Sequence, residues 1–125
     1  MSSFTKPLKL EYIDGNNWLL IEEFEYYTDV LDERYYIKVP KLFETNFASI
    51  PKILWGIFSP TDERYGKAAV VHDYLYSTGL FPREICDKIF FEAMSILKAP
   101  FYIKYLFYWN VRLFGKSHYI KIKGE

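Results

Sequence analysis

Ala68-Ala69-Val70-Val71-His72-Asp73-Tyr74-Leu75-Tyr76 is the stretch around which the rest of the chain is read. It holds one of only two histidines, followed at once by an acid, inside an otherwise apolar run. On a helix, His72 and Tyr76 stand four residues apart and share a face. Asp73 then points about 100° away from His72. The small Ala68 and Ala69 lie about one turn earlier and leave room for a backbone or a ligand beside the imidazole. A histidine in such surroundings reads either as a hydrogen-bonded core residue or as a catalytic base, and its neighbours have to decide.

Working outward, Ser59-Pro60-Thr61-Asp62 is a helix start, with Ser59 as N-cap, Pro60 at the first position and Asp62 in a capping-box role. Helix one is predicted over 60–77. Gly66 weakens its first half, and Gly79 supplies a left-handed stop. A second helix begins at Pro82 and runs to about Lys98. Ile85, Ile89, Ala93 and Ile96 form one apolar row, and Cys86, Phe90, Met94 and Leu97 an adjoining one. Asp87 sits at the edge of this stripe. The short link 78–81 makes the two helices antiparallel neighbours, which predicts a hydrogen bond between His72 and Asp87.

Pro100 ends helix two and opens a third helical segment, Phe101 to Phe114, stopped by Gly115. It is aromatic nearly all round, with Lys104 and Arg112 as its charges. One side of a helix covers only part of the circle, so the remaining rings are expected to meet another surface. Residues 100–115 are therefore the predicted site of self-association or of contact with another protein. A membrane interface is the alternative, and Lys104 and Arg112 are too few for the strongly basic face of a membrane-surface helix. The tail 118–123 alternates and reads as a final edge strand.

Upstream, three runs alternate as strands: 8–12, 18–27 and 34–40, with a turn signal at Asp14-Gly15-Asn16-Asn17 and a bulge signal at Glu22-Glu23. Residues 41–59 look irregular. Pro51 keeps Ile50 extended, and the apolar patch 52–58 is expected to close over the core, because exposed apolar patches are uncommon. The fold expected is α+β in a single domain over 1–125: an N-terminal antiparallel meander, an antiparallel helical hairpin and a third, aromatic helix.

Composition removes several function classes. Lys plus Arg and Asp plus Glu stand at 16 each, which argues against nonspecific nucleic-acid binding. The single cysteine, Cys86, excludes an intrachain disulfide and fits a reducing compartment. Met1 to Phe4 do not open a signal peptide, and no stretch of about 18 residues lacks charge, so no transmembrane helix is expected. Aromatic residues reach 21%, which suits a core and an interface equally well.

For chemistry, a histidine works as a base when a partner fixes its tautomer and orientation. Asp87, on the packed second helix, can accept one ring N–H. Asp73, on the adjacent face, is left to bind a cation or the preceding loop. Zinc held by His72 and His118 with Asp73 and Asp87 lacks close ligand spacing. Cys86 as a nucleophile has nothing nearby in sequence to activate it.

The His72, Asp73 and Tyr76 helix, followed by Cys86-Asp87-Lys88-Ile89-Phe90, resembles the His-Asp-x-x-Tyr helix and Asp-x-x-Phe segment of the phospholipase A2 superfamily. The resemblance implies that His72 activates water, that Asp73 binds calcium, and that Asp87 with Tyr76 orients the histidine. No glycine-rich calcium loop precedes the helix; Gly56 stands alone there. A longer resemblance spans roughly 45–94. Thr45-Asn46-Phe47-Ala48-Ser49-Ile50-Pro51, Trp55, the Ala-Ala-x-x-His-Asp-x-Leu-Tyr core, Arg83 and Asp87 are similar to the phage and prophage domain-of-unknown-function 1353 family. Asn46 stands where that family usually has an acid. This resemblance implies a bacteriophage origin and a place in the virion (tail or capsid associated) or in the host cytoplasm. Two function classes follow: a virion or host-interaction protein that keeps the cluster as a buried clasp, and a phospholipase A2-like hydrolase using His72 as general base. The missing loop and the aromatic surface put the first ahead.

Overall fold

The structure is a computed structural model that describes residues 3–4, 7–15, 17–47, 49–59 and 62–119. It is an α+β fold in which strands come first and three helices follow. The strands are β1 (Ser3–Phe4), β2 (Leu10–Asp14), β3 (Asn17–Leu20), β4 (Phe24–Thr28), β5 (Tyr35–Val39) and β6 (Glu44–Thr45); the helices are α1 (Gly66–Thr78), α2 (Arg83–Ile96) and α3 (Phe101–Phe114).

The strands form two antiparallel sheets, in the orders β1-β4-β5 and β2-β3-β6, where the sequence pattern predicts one meander. The run read as 18–27 is two strands, and it breaks at Ile21-Glu22-Glu23, where the alternation slips. Leu20 and Phe24 are both buried, so the chain uses the break to turn inward again on a different sheet. β4 shows the cleanest period-two pattern, with Phe24, Tyr26 and Thr28 inward. It pairs with β5 so that Phe24 faces Val39 and Tyr26 faces Ile37.

The sheets attach to the helices by polar ties as well as by packing. Glu92 on α2 accepts hydrogen bonds from the Tyr26 and Thr28 hydroxyls at 2.7 and 2.6 Å and from the Asp29 backbone N–H at 3.0 Å. The second sheet reaches α1 through β6. Trp18 and Leu19 of β3 pair with Thr45 and Glu44, which sets Thr45 above α1. Strands this short escape period counting, and β6 lay in the region read as irregular.

α1 begins at Gly66, later than predicted. Asp62 stands outside it and holds a turn: its side chain accepts the Arg64 N–H at 2.8 Å and its carbonyl accepts the Gly66 N–H at 2.7 Å. The predicted cap positions Pro60 and Thr61 lie outside the described residues. Gly79 ends α1 in the left-handed region, φ 64°, with its N–H on the Leu75 carbonyl. α2 closes with Lys98 left-handed, φ 66°, and the Ala99 N–H on Met94 O at 3.0 Å, a Schellman stop built on lysine.

α3 ends at Gly115 and passes into a single 3-10 turn, Gly115–His118, which takes the first residue of the edge strand predicted over 118–123, and Tyr119 follows in a turn. The remainder of that predicted strand, 120–123, lies outside the described residues. Gly115 is not left-handed; a Cβ there would stand 2.9 Å from the Tyr76 hydroxyl, so glycine is required by close approach. In the patch 52–58, Trp55 and Phe58 do pack on the core, but Ile53 and Ile57 project outward. No helix among the described residues is long and apolar enough to cross a membrane.

Candidate functional site

α1 and α2 bring His72 and Asp87 together as their spacing predicts. His72 Nε2 lies 2.6 Å from Asp87 Oδ1, with both side chains buried. Tyr76, one turn below His72, donates its hydroxyl to the same carboxylate oxygen at 2.6 Å. Arg112, arriving from α3, donates Nη1 to Asp87 Oδ2 at 2.7 Å. Burial pushes the Asp87 carboxyl up, and the His72, Tyr76 and Arg112 contacts outweigh that and hold it below the usual carboxylate range. With Asp87 ionised, Nε2 is the donor in the His72–Asp87 bond. The imidazole is clamped between the Tyr76 and Phe90 rings, with centroids at 4.1 and 4.7 Å.

The other ring nitrogen has a partner absent from the predicted site. Ser49 Oγ lies 2.6 Å from His72 Nδ1. The same hydroxyl is 2.9 Å from Asp73 Oδ1, and Thr45 donates its hydroxyl to Asp73 Oδ2. Ser49 has one proton for two acceptors. When His72 is neutral, that proton lies on the Ser49–Nδ1 line; when His72 is protonated, Nδ1–H donates to Ser49 and Ser49 donates to Asp73. Asp87, His72, Ser49 and Asp73 thus form one continuous proton path.

The loop that delivers Ser49 is tightly built. Phe47 adopts φ 52°, an unusual value for a bulky residue, and its side chain is fully buried. Its N–H bonds to Thr45 Oγ1 at 3.1 Å, and the Ile50 N–H bonds to its carbonyl at 2.9 Å. Trp55 donates its indole N–H to Ile50 O at 3.1 Å and so fixes the far end. Strain of this kind persists only where the surroundings over-determine it, and it clusters at functional sites.

Ser49, His72, Asp73 and Tyr76 line a cleft of about 530 Å³, joined by Asn46 and Lys52 from the loop. Asn110, Val111, Phe114 and Gly115 line it from the α3 side. Arg83 braces that side by donating to the carbonyls of Val111 and Arg112 at 2.9 and 3.0 Å.

The arrangement does not fit the calcium role that resemblance implies for Asp73. Calcium takes six to eight oxygens; here Asp73 Oδ2 accepts the Thr45 hydroxyl and Oδ1 lies 2.9 Å from the Ser49 hydroxyl. Among the described residues there is also no group of three or more His, Cys, Asp or Glu able to hold a metal ion. Cys86 is buried and donates to Phe81 O, and burial, then the nearby Asp87, pushes its thiol up to about 12. It is therefore a protonated thiol at neutral pH and does not line the cleft. The side chain of His118 lies outside the described residues.

Sequence reading missed Ser49, Thr45 and Arg112 as members of the cluster. Ser49 and Thr45 did carry a signal, since both lie in the 45–51 motif. Arg112 carried none, because its role depends on how α3 crosses α2. The chain matches, over residues 18–111, the family described as a protein of unknown function, DUF1353, and it belongs to that family. No curated protein and no solved structure matches it.

Proposed function

We propose that this member of the DUF1353 family is a hydrolase acting on a carboxylic ester or related acyl group, with Ser49 as nucleophile and His72 as its base. The observation that carries the reading is the unbroken line Asp87–His72–Ser49, with both bonds at 2.6 Å, on the wall of a cleft. A nucleophile within hydrogen-bond reach of a base that is itself oriented by a third group is the signature of covalent catalysis. In the first step Ser49 Oγ bonds to the carbonyl carbon while its proton moves to Nδ1, and that proton leaves with the departing alcohol; a water that gives its proton to Nδ1 then attacks the acyl carbon, the acyl–Oγ bond breaks, and the proton returns to Ser49. Asp87 stabilises the imidazolium through Nε2–H, and Tyr76 and Arg112 keep Asp87 in place. The Asn110 amide is the group we assign to the developing oxyanion.

This retains His72 as general base and Asp87 with Tyr76 as its orienting pair, as in the phospholipase A2-like reading. It differs in one atom: Ser49 Oγ occupies the position beside Nδ1 where an activated water would stand. A second reading keeps the cluster as a buried polar clasp in a bacteriophage virion or host-interaction protein. Its support is that His72 is 1% exposed and Asp87 0%, and both are fully partnered.

A fluorophosphonate probe separates the two. It should label the folded protein at Ser49, as located by peptide mass spectrometry, and labelling should vanish in Ser49→Ala and fall at least a hundredfold in His72→Asn. Folded wild-type protein that resists the probe at every concentration, while a known serine hydrolase in the same tube reacts, would overturn Ser49 as the nucleophile.

A further inference from the structure

α3 is apolar on two opposite sides. Ile103, Phe107 and Val111 are buried against the core. Phe101, Tyr102, Tyr105, Leu106, Trp109 and Leu113 point outward, between 41% and 72% exposed. Phe101, Tyr105, Trp109 and Leu113 follow one another at four-residue spacing, so they form a continuous row. By spacing Arg112 falls between Phe101 and Tyr105 on this face, and its guanidinium turns to Asp87. At the end of the row Phe114, 70% exposed, also lines the cleft. The exposed Ile53 and Ile57 belong to the loop whose Lys52 lines the same cleft, and the Phe58–Phe107 ring contact at 5.7 Å holds that loop to α3.

The charge along this stretch of the chain is one-sided. Residues 93–124 contain Lys98, Lys104, Arg112, Lys116, Lys121 and Lys123 and no Asp or Glu, although the whole chain is neutral. Lys98 and Lys116 are exposed and bracket the helix at its two ends. Arg112 is spent on Asp87, and Lys104 turns to α2, where it donates to Ser95 Oγ at 3.3 Å; Lys98 and Lys116 stand at the helix ends. A second copy seated on this face would bring two acid-free basic segments together. An anionic lipid surface complements it instead. Trp and Tyr settle at headgroup level, and lysine stems lie along apolar surface while their ammonium groups reach lipid phosphates.

We propose that the outer face of α3 seats the protein on an anionic lipid bilayer, the helix lying in the plane of the interface and the Phe114 side of the cleft beside the headgroups. This departs from the protein partner expected from sequence, because counting charges inside the helix misses the lysines that flank it. The proposal does not depend on whether Ser49 reacts.

The test is flotation of the full chain with vesicles of phosphatidylglycerol mixed into phosphatidylcholine, against vesicles of phosphatidylcholine alone. The protein should float with the anionic vesicles about tenfold more strongly, since each lysine near such a surface contributes about 1 kcal/mol, and added salt should weaken the binding. A Trp109→Glu, Leu113→Glu variant with an unchanged circular dichroism spectrum and Tm should lose at least tenfold, while Ser49→Ala should bind as the wild type does. Failure of the wild type to float, equal binding by the double variant, or a dimer in light scattering that Trp109→Glu splits would each overturn the proposal, the last by showing that a second copy covers the face.

Discussion

Asp87 is the residue on which the cluster's stability rests. It is fully buried and accepts from a histidine, a tyrosine and an arginine brought by three different helical positions. Because its folded pKa is lowered, its contribution is complete above the unfolded value of about 3.9 and drains away as pH falls through that value towards the folded one. Asp87→Asn should therefore cost about 3 kcal/mol at neutral pH, because it leaves a buried charge network without its anion. The gap in Tm between wild type and variant should stay constant at neutral and mildly acidic pH and shrink below about pH 4. Parallel melting curves down to acid-induced unfolding would show that the carboxylate is not the titrating element. The His72–Asp87 pairing was legible before the structure, since a short-linked antiparallel hairpin brings those two positions face to face. The Arg112 contact was not, because no periodicity within α3 says which of its residues will cross the end of α2.

At the scale of elements, the junction of α3 with α1 is set by a glycine. Gly115 lies against the Tyr76 hydroxyl and the Arg83 guanidinium, so α3 can close over the site only where no Cβ intervenes. Gly115→Ala should displace the Tyr76 ring and loosen its bond to Asp87, with a loss of about 1–3 kcal/mol typical of overpacking. Denaturant unfolding measures this directly. A variant as stable as the wild type, with the Tyr76 hydroxyl still protected, would show that the helix end shifts freely. The sequence marks Gly115 as a helix stop, and α3 does end there. The reason differs from the left-handed cap that a glycine in that position ordinarily signals, and only the approach of Tyr76 reveals it.

For the whole molecule, the two sheets are held to the helices at separate points: Thr45 of one sheet on Asp73 of α1, and Tyr26 and Thr28 of the other on Glu92 of α2. Glu92 therefore anchors the sheet farther from the cleft. Glu92→Ala removes the acceptor for three donors and should cost about 1–3 kcal/mol. Because this anchor lies away from the Ser49 cluster, fluorophosphonate labelling of the folded variant should persist. A Glu92→Ala protein that is equally stable would mean that packing alone joins the sheet to α2. The same layout goes with the two-sheet architecture: one small sheet brings β6 to the cleft and the other brings β4 to α2.

What the sequence determined by itself is local. The 3.6-residue spacing and the turn residues set the helical hairpin, and the Ala-Ala-x-x-His-Asp stretch set which face carries the imidazole. The excess of rings in 101–114 over what one core can cover was also readable, and the exposed row on α3 bears it out. The tertiary structure alone decided three things: the split of the strands into two sheets, the delivery of Ser49 to His72 Nδ1, and the arrival of Arg112 at Asp87. Each depends on contacts between residues more than twenty positions apart, which no local pattern of hydrophobicity or turn chemistry encodes. The physical reason is that these placements follow from how finished elements pack, and packing is chosen by the shape and polar complementarity of whole faces rather than by the propensity of any one segment.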